Sequence, residues 1–452
     1  MRTRHLIPLL MGAFALHVSA QNALTVFQNG KVASAEEVNQ NFALLETLML
    51  DNKEMIAALE SREDQLVEVN CDANGAEALQ TAINENQNPA RLLQIDAQGT
   101  CSPIEISQGI VRINGVGARP LNITNSASGG TVDAAVSITS TADIATLVNV
   151  QINADGLPRG IAVRGGRLFA ASIGVSGASA ENISVTEHGS IAFTSINSVG
   201  SETEGALGLL VIQGTVTVLD GRTYGIPFSP SGKLTVKSAG TAARTLNAYL
   251  AFNQDDTLVE FSGTEFELEG SSHLRMKNGE INVSDGFYIR EASSMNVFPP
   301  TGSLVSINGY FQINGASSVD FDLDEAPAGR ITHTGDLSLQ LNSQLVVNGD
   351  PNDPTAAQIG LPFDGQTEPS IIEVVFGGAL GIVNGQTPAN IEMVMSQILI
   401  DSEAVLTRGV TSLMPAYDST VLFFEASPNA QVTCTTGSSA WVFGSTASLC
   451  SQ

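Results

Sequence analysis

The sequence predicts an all-β chain, a right-handed parallel β-helix (solenoid) preceded by an N-terminal helix/coiled-coil segment. Three observations carry this. Stretches such as IVRING, SIAFTSI, GTVTVLDG, TEFELEG and SLVSINGYFQING alternate apolar with polar residues, the period-two mark of strands with one buried face. They recur at intervals of roughly 15–25 residues between Gly, Asn and Ser, as coils joined by turns of variable length require. Few Asn-Gly turns join strands of equal length, which disfavours hairpins and so the alternative β-sandwich. A solenoid also accommodates 452 residues without an outsized core, because each coil touches only its neighbours.

Residues 1–20 read as a signal peptide. Arg2 and Arg4 form a positive start, Leu6 to Leu16 an apolar run, and Val18-Ser19-Ala20 a small-residue cleavage site. The run is too short for a stable transmembrane helix, and no Cys follows the cleavage site to take a lipid. The mature chain is therefore expected to be exported, to the extracellular medium or the cell surface.

Residues 21–68 are expected to form a helical, coiled-coil segment. Ser34 and Glu37 fit a capping box. Val38, Phe42, Leu45, Met49, Asn52, Ile56, Leu59, Glu63 and Leu66 then follow at alternating steps of four and three, a coiled-coil seam. A homo-oligomer through residues 35–66 is the expectation, with Asn52 specifying register. The alternative is an amphipathic helix docked on the solenoid.

Residues 69–103 read as the N-terminal cap. Asn74 and Glu77 suit a helix start, and Leu79, Ala82 and Ile83 line one face able to plug an open stack of coils. The β-helix is placed at residues 104–430. Residues 351–369, with four prolines and little periodicity, are read as a long loop within it. A C-terminal disulfide cap with Trp441 is placed at 431–452. The four cysteines fall into two local pairs, Cys71 with Cys101 and Cys434 with Cys450. An even count in an exported chain suggests disulfides, and of three pairings the local one brackets each end of the solenoid.

Two stretches resemble known sequences. Phe27, Gly30, Ala35, Val38, Asn39, Asn41, Phe42 and Leu45 follow a leader similar to that of many exported and tail-fibre-like bacterial proteins, which implies a surface or fibre context. Cys71, Gly75, Leu79, Ala82, Ile83, Gly99, Thr100, Cys101, Ile104, Ile106, Ile113 and Gly115 follow a pattern that resembles the N-terminal part of bacterial pectin-lyase-like β-helix proteins. That resemblance implies the fold and is silent about activity, since the fold hosts enzymes, adhesins and inert stalks alike.

The chain carries 46 acidic against 20 basic residues, a formal charge of −26. Such a charge repels nucleic acid and anionic membranes, and disfavours an acidic polysaccharide partner unless calcium bridges the two. No transmembrane span is expected. The three histidines beyond the signal, His188, His273 and His333, have no ligand at metal-binding spacing and are read as solvent or turn residues. No G-x-S-x-G elbow marks a nucleophile. Asp320, Asp322 and Asp324, followed by Glu325, fall two apart on a strand and so share a face, with Phe321 and Leu323 inward. They are the candidate calcium site, and the alternative is a solvated face of an acidic protein. Asp350, Asp353 and Asp364 are a weaker calcium set. Arg159, Arg164 and Arg167 can hold a carboxylated sugar or balance nearby acids on a turn.

The active-site segments of pectate lyases, pectin methylesterases and β-helix glycosidases are missing, and aromatic residues are only 5%. The expectation is therefore a non-catalytic protein, without catalytic residues or an organic cofactor. It presents an extended surface for adhesion or attachment, with an extracellular glycan or cell surface as partner. The alternatives are a polysaccharide lyase or glycoside hydrolase whose acids meet in a groove, and a structural stalk or matrix protein.

Overall fold

A strand with alternating residues has one face that water disfavours, and stacking coil on coil buries that face. The computed structural model describes residues 65–383, apart from short stretches at 87, 89–90, 126–131, 140–141, 200–205, 219–231, 253–256, 324–328, 351–352, 364–369 and 376–378. Beyond 383 it describes only strands, the last being Ser439–Val442. Through these residues the chain is a parallel β-solenoid of three stacked sheets, and every ladder between strands is parallel. A coil visits the sheets in turn. Leu92–Gln98 lies in the first, Thr100–Cys101 in the second and Ile104–Ile106 in the third, and Gly109–Gly115 then returns to the first.

Register stacks like on like. Inside the first sheet, Leu93 aligns with Val111, and the column continues through Ala145, Leu168, Ile191, Val216, Leu250, Leu274, Met295, Val319 and Leu345 to Leu380. All of these are buried. An aromatic spine adds to them: Phe193, Phe252, Phe261, Phe266, Phe287, Phe311 and Phe321 pack in sequence, with ring centroids 4.8 Å apart at Phe261–Phe266 and 4.9 Å apart at Phe266–Phe287 and Phe287–Phe311. Each buried Phe is worth roughly 1.5–3 kcal/mol of transfer free energy, and each good ring pair about 0.5–1.5 kcal/mol more.

The corner from the third sheet back to the first follows a repeated rule. Ser271, Ala292, Ala316 and Asn342 adopt φ between 60° and 68°, a backbone state that costs a non-glycine residue about 1–2 kcal/mol. Each is followed by a buried serine: Ser272, Ser293, Ser317 and Ser343. These hydroxyls hold the corner. Ser272 Oγ donates to Glu269 O at 2.6 Å and accepts from Ala248 N at 3.1 Å, while Ser293 Oγ accepts from Ser272 N at 3.1 Å.

At the N-terminal end of the described solenoid a helix packs on the first coils. Helix Ala78–Asn86 buries Leu79, Ala82 and Ile83 against the first coils. Its cap is not Asn74. A separate short helix, Cys71–Asn74, is capped by Asn70, whose Oδ1 accepts from Ala73 N at 3.2 Å, and Gly75, at φ 96°, ends it. Asp72 Oδ1 accepts from Thr100 N at 2.9 Å, and the Gln80 amide bonds both Glu105 N (2.6 Å) and Glu105 O (3.2 Å). These side chains satisfy backbone groups on the first strands of the second and third sheets, edges that would otherwise invite pairing. Cys71 and Cys101 form a disulfide across the cap, 30 residues apart.

The first sheet begins earlier than the sequence suggested. Gln65–Asn70 is a strand paired with Leu93–Gln98, so Leu66, placed on the helical seam, lies on a strand and is 58% exposed. The rest of the proposed coiled coil lies outside the described residues, as do the signal peptide, Cys434 and Cys450. Trp441, placed in the C-terminal cap, lies on a strand in register with Leu422. The proline-rich stretch is partly a coil, not a loop throughout. Asp353 caps a turn at Pro354–Ala356, and Ala357–Leu361 pairs with Arg330–Thr334. Pro is tolerated there because the first position of a turn needs no N–H partner.

Candidate functional site

With the inward positions committed to the core, chemistry can only reside on outward columns and at corners. On the first sheet the strand Ser318–Asp322 turns Val319 and Phe321 inward and leaves Asp320 and Asp322 partly exposed on the same outer face. Leu323 is buried, as its spacing predicts. Asp324 lies outside the described residues. Asp320 sits in register between Asn296 and Val346, and Arg275 precedes Asn296 in the same column. Among the described residues, Asp320 Oδ1 is buried without a hydrogen-bond partner. Burial, reinforced by the negative charge of Asp322, raises the Asp320 carboxyl above the usual carboxylate range. An unpaired, partly desolvated oxygen fits a proton or a cation. Asp320 and Asp322 provide two of the six to eight oxygens that calcium takes. Among the described residues no group of three or more His, Cys, Asp or Glu is placed to hold a metal.

Upstream on this face the first outward position runs Tyr249, His273, Ser294, Ser318. The His273 ring stacks on Tyr249 with centroids 5.4 Å apart and planes 7° from parallel, and its Nδ1 lies 2.6 Å from Ser294 Oγ. Burial, with the Arg275 charge second, lowers the His273 pKa and favours the neutral ring. Arg275 and Lys277 lie over the Phe298 ring at 4.8 and 5.5 Å. A nucleophilic Ser–His pair needs a third group to orient the other nitrogen of the ring, and among the described residues none is placed to do so for His273.

A groove of about 560 Å³ lies where the second sheet turns into the third. Ser262, Asn282 and Asn308 line one side as register partners on successive coils, Thr264 and Ser284 follow on the other, and Phe363 closes an end. Asn308 Nδ2 donates to Asn282 Oδ1 at 2.6 Å and to Glu280 Oε1 at 3.0 Å. Among the described residues, none that lines the groove is charged. The groove escaped the sequence reading because its members come from several coils of unequal length, at no fixed spacing.

The remaining expectations divide. His188 is an exposed turn residue at φ 64°, as expected. His333 is not a surface residue: it is fully buried, in register with Ile307 inside the second sheet. Its Nε2 lies 3.2 Å from Gly309 O and its Nδ1 accepts from Gly360 N at 3.2 Å, which fixes the tautomer with the proton on Nε2. The pairing register shifts here, and Gly360, at φ 68°, supplies the bulge whose N–H the ring satisfies. Burial drives the His333 pKa down to about 4. Arg159 and Arg164 balance nearby acids: Arg159 pairs with Asp133 at 2.6 Å and with Glu181 at 2.5 Å, and Arg164 also pairs with Asp133. Arg167 opens the next strand, exposed. Asp353 is occupied as a turn cap and lies 3.8 Å from Arg330; Asp350 is buried beside it, and Asp364 lies outside the described residues. Compared with family models, curated proteins and solved structures, the chain finds no match.

Proposed function

We propose that this chain is an exported, non-catalytic attachment protein that holds an extended partner along its outer faces. The observation that carries this reading is the repetition of outward side chains in register, exemplified by Ser262, Asn282 and Asn308. A solenoid displays such groups at the inter-strand spacing of about 4.8 Å over many coils, which suits a long, repetitive partner such as a cell-surface glycan. The Cys71–Cys101 bridge supports export, because disulfides persist in oxidising compartments. One observation favours a second reading, a polysaccharide-cleaving enzyme: Asp320 holds its proton more tightly than an ordinary carboxylate, as a general acid must. The test incubates the purified chain with cell surfaces and polysaccharides, with and without calcium, and analyses retained protein and soluble products together. Retention without product supports attachment. Product release abolished in Asp320→Asn replaces it with the enzyme, and neither retention nor product overturns both.

A further inference from the structure

We propose that the groove between the second and third sheets binds an uncharged polysaccharide laid along the solenoid axis. The inference rests on the attachment reading and names its ligand class and site. Among the described residues the lining is uncharged in a chain of net charge −26, and the nearest carboxylate, Glu280, is taken up by Asn308 Nδ2 at 3.0 Å. An anionic polymer gains nothing from such a lining and meets Glu280 and Asp285 at its margin; a neutral one needs only hydrogen bonds and an apolar platform.

Both are present. Asn308 holds Asn282 through Oδ1, which leaves Asn282 Nδ2 without a protein partner among the described residues. The hydroxyls of Ser262 and Thr264 likewise make no hydrogen bond to a described residue. Three polar groups, oriented by the strands that carry them, therefore face an open volume without a partner of their own. Because Ser262, Asn282 and Asn308 are register partners on consecutive coils, they repeat at about 4.8 Å along the axis. A polymer of pyranose units offers hydroxyls around its edge at every unit and a C–H face to an aromatic ring, and Phe363 is the aromatic residue among the described lining.

The experiment measures binding of the full chain to immobilised mannan, galactan and β-glucan, with polygalacturonate as the charged control. It compares the natural sequence with Asn282→Asp, Phe363→Ala and Ser262→Trp. Asn282→Asp keeps the acceptor that Asn308 uses, so the coil is retained, and circular dichroism melts confirm this for each variant. The expected result is binding of a neutral polymer that weakens about tenfold in Asn282→Asp, by loss of a donor and gain of a charge. Phe363→Ala weakens it by a similar factor, and Ser262→Trp blocks the groove. Equal binding by all variants overturns this site and leaves attachment standing. Preference for polygalacturonate overturns the ligand class. Binding to none of the polymers overturns the inference, and absence of cell-surface retention in the same preparation removes the attachment reading with it.

Discussion

Lowering the pH from 7 to 4 protonates His333 in the unfolded chain well before it does so in the folded one. The unfolded ring titrates near 6.5, whereas burial holds the folded ring to about 4, with Asp336 the nearby charge that opposes the shift. The depressed folded pKa sets the sign. The contribution is fully present above pH 6.5 and is lost as the pH falls through the window from 6.5 to 4, because protons then favour the unfolded state. At about 1.4 kcal/mol per unit, the loss comes to about 3 kcal/mol. Protonation also removes the acceptor for Gly360 N–H, so the bulge opens with the ring. The discriminating variant is His333→Phe, which keeps a ring beside Phe311, now 5.6 Å away, and orphans the Gly360 amide at a cost of about 1–3 kcal/mol. Urea unfolding followed by circular dichroism at pH 7, 6, 5 and 4, with amide exchange at Gly360, measures both chains. Carboxylates titrate in each and cancel in the difference. The natural sequence is the more stable at pH 7, and the gap closes or reverses by pH 4. Parallel pH profiles for the two chains would refute the buried, neutral His333.

Three further outcomes follow from the packing. Cys101→Ser removes a bridge closing a 30-residue loop and lowers the stability of the N-terminal coils by about 3–4 kcal/mol in the chain-entropy model, read as faster amide exchange at residues 65–115. Phe287→Ala opens a cavity between Phe266 and Phe311 and costs about 3–5 kcal/mol, with exchange rising in the adjoining coils before the distant ones. Asp320→Asn removes a charge the folded state disfavours, since a raised carboxyl pKa means stability present at low pH and lost as pH rises. Its melting temperature therefore exceeds that of the natural sequence at pH 7 and matches it at pH 3, and an equal gain at both would contradict the assignment.

The inward columns were legible because alternation is a local property, and Phe321 and Leu323 were placed inward from spacing alone. The same alternation in RITHTG puts His333 on the inner side with Ile331. Residue type, which makes histidine a surface residue by default, misled where register did not. Leu66 satisfies a four-three seam and a strand equally well, and the pairing of Gln65–Asn70 with Leu93–Gln98, a contact between distant residues, decides between them. Prolines at 351–369 argued for a loop, yet Pro354 only opens a turn, and the strand after it contains none. The Cys71–Cys101 bridge and the apolar face of helix Ala78–Asn86 were visible in the sequence, while Gln80 and Asp72, which satisfy the strand edges, carry no pattern a sequence displays.

The columns that decide the fold and those available for recognition obey different rules. From Leu274 through Met295 and Val319 to Leu345 the inner column keeps one chemistry, because a polar group there must find a partner as costly to arrange as the bulge at Gly360. Beside it the outer column changes at every coil, from Arg275 to Asn296, Asp320 and Val346, since water tolerates each. Outer substitutions are therefore nearly independent of one another in stability when they lie several coils apart, and coupled only through a ligand long enough to touch both. A polymer spanning the Ser262–Asn308 groove should accordingly show non-additive losses for paired substitutions on that face, and additive ones when one partner is Asp320, on a different sheet. The pattern of coupling, more than any single loss, then marks the path of the bound chain along the solenoid.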